Sequence, residues 1–372
     1  MKRIRFLALA TVTSLLLAAC GGGGDGDQSP RVHYTAMVSF GDSLSDVGTY
    51  NVSTIAAVGG GKYTVNGATA KNWTERIAAQ IGTSAPCAAQ TGLNSIIPQI
   101  PAVAVVNHAG CYGYAQGGAR VTNPVGPANV NAYPADPSGA LGQLTDPVIN
   151  QITRHLTAVG GSFSGTELVT VMAGGNDVFS NLGIVNATVA AATAAPGATP
   201  TSIAAAAQAA GTAAVTAMGT AGGELAAYIK TQIVAKGATH VVVVNLPDVS
   251  QTPLGYSQSV ATQGLIQLMS STFNSQLAVG LGNTAGVLQV DAFTQGQDQV
   301  AHPTQYGLTN VTVPACDLTV TILASSLVCS GNTLIAGDVS HYQFADTVHP
   351  TPYGYQLLAQ FVAKRMTDAG WL

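Results

Sequence analysis

Ser39-Phe40-Gly41-Asp42-Ser43-Leu44-Ser45-Asp46-Val47-Gly48 is the stretch that decides how the rest of this chain is read. Upstream of it, the alternating apolar run from Tyr34 to Phe40 predicts a strand, and Gly41-Asp42-Ser43 ends that strand abruptly. The pattern puts Ser43 at the carboxyl end of a strand, beside the first turn of a helix. Backbone N–H groups and a helix dipole aimed at such a spot stabilise negative charge developing on a bound substrate. A nucleophilic hydroxyl is useful there. Taken alone, a serine in a turn is most often plain strand-to-loop punctuation, so the case depends on partners further along.

Outward from that turn the chain alternates strand and helix patterns. Asn72 to Gly82 has the apolar spacing of a helix closed by a glycine. Ala102 to Asn107 reads as a second strand, leading into the glycine-dense loop Ala109 to Arg120. Asp146 to Leu156 reads as an amphipathic helix, with Asp146 as N-cap and Pro147 in the first turn. Glu167 to Met172 is a third strand running into Ala173-Gly174-Gly175-Asn176-Asp177. Val185 to Pro200 reads as an exposed insertion, and Ile203 to Ala235 as an alanine-rich helix. The valines of His240 to Asn245 mark a strand buried on both faces; Ala261 to Val279 follows as a helix and Gly286 to Val290 as a fifth strand. Strands alternating with helices imply a parallel sheet covered on both sides. Ligands bind outside the carboxyl ends of such strands, where Ser43, the Gly117 loop and Asn176 all fall.

With 8% charged residues and a net charge of −4, the chain has no basic field for nucleic acid, and no nucleic-acid partner is expected. Lys2, Arg3 and Arg5 precede an apolar run from Phe6 to Leu17, and Leu17-Ala18-Ala19-Cys20 supplies small residues up to a cysteine. This resembles a bacterial lipoprotein signal, which implies a signal peptide over 1–19, cleavage before Cys20 and lipidation of Cys20. Residues 20–33 then read as a flexible tether and 34–372 as one domain. The bland alternative is an ordinary secretory signal with an incidental cysteine. The expected location is outside the cytoplasm, as an outer membrane lipoprotein on either side of that membrane, or else secreted. The other cysteines are Cys87, Cys111, Cys316 and Cys329; proximity suggests Cys87–Cys111 and Cys316–Cys329 among three possible pairings. No His or Cys spacing matches a metal site, so neither metal nor other cofactor is expected.

Near the C-terminus comes Phe344-Ala345-Asp346-Thr347-Val348-His349-Pro350, ahead of an amphipathic helix from Tyr353 to Met366. A serine hydroxyl is a poor nucleophile until an imidazole takes its proton, and the imidazole needs an acceptor to fix its tautomer. Asp346 and His349 on one turn could supply both. A plain turn with a local Asx bond is the structural alternative.

Four blocks now stand in order: Gly41-Asp42-Ser43-Leu44, Gln116-Gly117-Gly118-Ala119, Gly174-Gly175-Asn176-Asp177 and Asp346-Thr347-Val348-His349-Pro350. Together they resemble the GDSL or SGNH hydrolases, over nearly the whole chain beyond the tether. Ser43-Leu44-Ser45-Asp46 and Asn245-Leu246-Pro247-Asp248 are most similar to the branch of bacterial lipolytic enzymes, autotransporter esterases and glycerophospholipid:cholesterol acyltransferases. The resemblance implies a three-layer α/β/α sandwich with a mainly parallel, flavodoxin-like, five-stranded sheet. It implies Ser43 as nucleophile, His349 as general base and Asp346 as its orienting carboxylate. The backbone N–H of Ser43, that of Gly117 (or of its neighbour Gly118) and the side-chain amide of Asn176 would form the oxyanion hole.

The implied activity is a serine esterase or lipase acting on carboxylic acyl esters without a cofactor. An acyltransferase or phospholipase that passes the acyl group to an alcohol uses the same residues. The non-enzymatic rival is a surface lipoprotein that binds lipid or glycan, which predicts a degraded catalytic position; none is seen. The expected partners are a small-molecule or lipid ester and a membrane reached through the N-terminal anchor, with the protein itself a monomer.

Overall fold

The structure, a computed structural model, describes residues 32–68 and 70–372. The expected signal peptide, Cys20 and all but the last two residues of the tether lie outside the described residues.

Four strands form the central sheet: β1 (Ala36–Gly41), β4 (Glu167–Met172), β5 (His240–Val244) and β6 (Val287–Val290). They run parallel in the order β1-β4-β5-β6, with Val38 opposite Val169, Val169 opposite Val241 and Val242 opposite Leu288. Their residues alternate between two cores, as the two-residue period of a strand requires. Val38, Phe40, Val169, Val171, Val241 and Val243 face one layer. Met37, Leu168, Met172, Val242, Val244 and Val290 face the other.

The first layer contains α3 (Val148–Ala158), α4 (Gly175–Ala194), α5 (Pro200–Tyr228) and α7 (Val260–Leu281). The second contains α2 (Trp73–Gln80) and α9 (Pro352–Asp368). The short helices α1 (Ser53–Ala56) and α6 (Pro253–Tyr256), and α8 (Ala292–Ala301) after β6, sit in the connections. The result is an α/β/α sandwich.

Three expectations need correction. The run ending at Asn107 is a strand, β3 (Val103–Asn107), but it pairs antiparallel with β2 (Gln90–Leu93), outside the central sheet. Beyond it the Cys87–Cys111 disulfide folds the chain back, and Tyr112 to Tyr114 takes the edge place beside β1. Ser39 N donates to Tyr112 O (3.0 Å) and Tyr114 N to Ser39 O (2.8 Å). The fifth, flavodoxin-like position is thus filled by one parallel bridge, Ser39 with Gly113, rather than by a full strand.

Val185 to Ala194 is largely exposed, as expected, but it is the second half of α4 rather than an insertion, as alanine's helix propensity favours. Only 195–199 link it to α5, which Thr199 caps through a capping box with Ser202, with Pro200 in the first turn. Asp146 does not cap α3: Pro147 occupies that position, and the Asp146 carboxylate pairs with Arg154 instead. The second disulfide, Cys316–Cys329, is also formed, so both pairs follow sequence proximity. Two disulfides are in keeping with an exported chain. No described helix is long and apolar enough to cross a membrane.

Candidate active site

Gly41 ends β1 at φ +148°, and a Cβ there would lie 2.0 Å from Met172 O on the neighbouring strand. Only glycine lets the backbone turn off the sheet at this point. Gln151 of α3 holds both polar groups of Gly41, accepting from its N–H and donating to its carbonyl, each at 2.8 Å. Ser43 therefore projects from the carboxyl edge of the sheet, with 9% of its surface exposed.

No helix begins at Ser43. The acidic side chains on either side take the N–H groups a helix would have used: Asp42 accepts from Leu44 (3.0 Å), and Asp46 from Gly48 (2.8 Å) and Thr49 (2.7 Å). The helix N-terminus at the site is that of α4, which opens at Gly175-Asn176. Burial pushes the Asp42 carboxyl up to about 7, against the bond from Leu44 and the charge of His349.

Across the cleft the chain returns 306 residues later, and His349 Nε2 lies 2.8 Å from Ser43 Oγ. His349 Nδ1 is 2.7 Å from Asp346 Oδ2 and 2.9 Å from Oδ1. Asp346 also closes its own turn, accepting from the backbone of Val348 (2.9 Å) and His349 (2.8 Å). A further N–H comes from Ser326 at 2.7 Å. Burial would raise this carboxyl, but the neighbouring His349 and the donated N–H groups prevail and hold it well below the usual carboxylate range. Asp346 is thus an anion that accepts hydrogen bonds and points at an imidazole. The imidazole's other nitrogen faces a serine. The Tyr63 ring backs the imidazole at 4.7 Å between centroids.

Of the expected oxyanion donors, one is free, one is half engaged and one is taken. Ser43 N–H has no acceptor among the described residues. Asn176, in the first turn of α4, donates through Nδ2 to Ala119 O (2.8 Å), which leaves the second hydrogen of that amide. The Gly117 N–H, however, donates to Asp46 Oδ2 at 2.9 Å, and its carbonyl accepts from Tyr50. A Cβ at Gly117 would lie 2.1 Å from the Tyr63 hydroxyl, so its glycine serves close packing under the histidine. Gly118 N–H, by contrast, has no acceptor among the described residues.

Ser43, Asn176 and His349 line a cleft of about 1010 Å³, counting its open mouth. Its walls are largely apolar, with Leu44, Met172, Phe179, Leu246, Val300 and Leu358 among them. Asp177, next to Asn176, points away from the cleft chemistry: it accepts from Arg120 Nε (2.9 Å) and Val121 N (3.0 Å), tying α4 to the glycine loop. His302 pairs with Asp298 and His341 stacks on Tyr353, and neither bonds to Ser43, His349 or Asp346.

Tyr63, Ser326 and Gln151 were not singled out by the sequence. Tyr63 and Ser326 lie in stretches with no periodic pattern. Gln151 did carry a signal: it falls on the buried stripe of α3 with Val148, Ile152 and His155, a polar residue on an apolar face.

A parallel sheet with a serine, an imidazole and a carboxylate joined by hydrogen bonds at its carboxyl edge defines an SGNH-type α/β fold. The chain matches the GDSL-like Lipase/Acylhydrolase family over residues 37–362, well over half its length, and belongs to that family. It is also similar to a GDSL esterase/lipase of Arabidopsis thaliana, 30% identical over 80 residues. That match covers 22% of this chain and 22% of the relative's length.

Proposed function

We propose that the protein is a serine esterase or lipase that hydrolyses carboxylic acyl esters. One observation carries this reading: the unbroken chain Ser43 Oγ to His349 Nε2 (2.8 Å) and His349 Nδ1 to Asp346 Oδ2 (2.7 Å), at the floor of an apolar cleft. Ser43 Oγ attacks the ester carbonyl carbon while its proton passes to His349 Nε2. Asp346 keeps the proton on Nδ1 and stabilises the imidazolium that forms. Collapse of the tetrahedral intermediate expels the alcohol, which takes the proton from Nε2 and leaves Ser43 acylated. Water attacks the acyl carbon, giving a proton to His349 in turn, and the carboxylic acid leaves as Ser43 is restored.

Charge on the carbonyl oxygen is met by the N–H of Ser43, the second amide hydrogen of Asn176 and, in place of Gly117, the N–H of Gly118. Each such donor is typically worth about 3–4 kcal/mol of barrier. The test is hydrolysis of p-nitrophenyl butyrate by wild type and Ser43→Ala. The expected result is turnover by the first and a fall of roughly 10⁴-fold or more in kcat in the second, the fold intact by circular dichroism. Undiminished turnover by Ser43→Ala would end this reading.

The N-terminal Lys2-Arg3 charge, apolar run and Leu17-Ala18-Ala19-Cys20, with the two disulfides of the domain, support export and anchoring through an acylated Cys20. Cys20→Ser is then expected to shift the protein from the bacterial membrane fraction to the soluble one. An unchanged distribution would argue for a plain secretory signal.

A further inference from the structure

We propose that one face of α8 is the acyl-chain site of this cleft and that Gly296 sets the length of chain it accepts; this rests on the reading of Ser43 as nucleophile. Ala292, Gly296 and Val300 succeed one another at four-residue spacing, so they form a single stripe along the helix, and all three line the cleft that holds Ser43 and His349. Leu44, Met172 and Leu358 belong to the same apolar cluster as Ala292 and line the same cleft.

Charge excludes an anionic occupant. No lysine or arginine is among the lining residues, so a phosphate or carboxylate group has no cation to pair with there. Of the two lining carboxylates, Asp248 is engaged by Ser250 and Gln297. Asp42 is buried, with only 3% of its surface exposed. An uncharged alkyl chain is the group such walls receive without leaving a charge unpaired.

Gly296 is the small member of the stripe without a packing reason to be small. In mid-α5, a Cβ on Gly222 would lie 2.2 Å from Phe273 O, so there the fold demands glycine. At Gly296 an added Cβ meets nothing within 4 Å. A glycine inside a helix costs stability relative to alanine, and here it leaves space in the cleft that a ligand can fill. A Cβ at 296 would occupy that space without displacing protein atoms, and a longer side chain would start from there.

The test is a series of p-nitrophenyl esters from acetate to laurate on wild type, Gly296→Ala and Gly296→Leu. Each methylene excluded from the cleft is expected to cost about fourfold in kcat/KM. Gly296→Leu should therefore lower the laurate-to-butyrate ratio of kcat/KM by about tenfold or more, with butyrate within about threefold of wild type. Gly296→Ala should fall between them. Leucine is the better helix former, so α8 is expected to persist. Val300→Phe, one turn along, reads the same ratio independently. An unchanged ratio in both variants, or equal losses at every chain length, would overturn the assignment. A wild type inactive at all chain lengths would overturn the esterase reading itself, and this one with it.

Discussion

Ser43 and His349 touch, yet they are held by opposite kinds of structure. Ser43 leaves a strand whose neighbour is β4 and whose last residue is clamped by Gln151, so regular hydrogen bonding fixes it. His349 sits on a turn bridged between Phe344 and Pro350, at the end of a stretch from 302 to 351 that contains only short 3-10 turns. That stretch is held by the Cys316–Cys329 disulfide, by backbone bonds such as Cys316 N to Ala345 O (2.9 Å) and by Ser326 N on the Asp346 carboxylate. The difference teaches where each half is vulnerable: Ser43 to loss of the sheet, His349 and Asp346 to loss of a staple.

The largest effect expected on the loop side is at the carboxylate. Asp346→Asn keeps the size of the side chain but turns one acceptor oxygen into a donor facing Ser326 N–H or His349 Nδ1–H. A fall in kcat of roughly 10²–10⁴-fold is expected, with KM little changed. A loss below about threefold would mean that Asp346 acts only on the turn.

Next come the two disulfides, which separate the halves directly. Opening Cys316–Cys329 by a double Cys→Ser change should cost about 2–4 kcal/mol of stability and lower kcat roughly tenfold, because Ser326 and Ala345 lose their anchor to the turn. Opening Cys87–Cys111 releases the edge segment beside β1; a similar stability loss is expected, with kcat within about threefold. Equal effects of both pairs on kcat would erase the distinction between the two regions.

The smallest effect lies under the sheet half. His155 is buried against Phe40, Tyr112, Tyr114 and Phe163, with neither ring nitrogen bonded. Burial lowers its pKa from about 6.5 to about 4, although Glu167 nearby works the other way. The neutral ring is the folded form, so its contribution is complete above about 6.5 and is lost as pH falls toward about 4. The loss is roughly 3 kcal/mol at most. His155→Leu should flatten the fall in Tm between pH 6.5 and 4 while leaving Tm near pH 8 within a few degrees. An unchanged acid slope would place the sensitive group elsewhere.

The same division explains what could be read from the sequence. Strands buried on both faces, such as His240–Val244, and helices such as α2, whose apolar spacing runs to a closing glycine at Gly82, follow from local periodicity and capping. Ser43, Asn176, Asp346 and His349 stood out because their turns interrupt that periodicity. Val103–Asn107 looked like a sheet strand because apolar composition alone cannot say which partner a strand takes. The supports of the loop half, Ser326 and Tyr63, were invisible because long-range contacts leave no periodic mark. Gly117 illustrates the limit in one residue: its place in a glycine-rich loop suggested a ligand donor, and its N–H belongs to Asp46.

The meeting of Ser43 and His349 is tested most directly by mass spectrometry of the folded protein after reaction with a fluorophosphonate. One adduct, on the peptide carrying Ser43, is expected; it should be absent in Ser43→Ala and at least about 10³-fold slower to form in His349→Ala. Labelling of a different serine that survives in Ser43→Ala, together with undiminished ester hydrolysis, would contradict it.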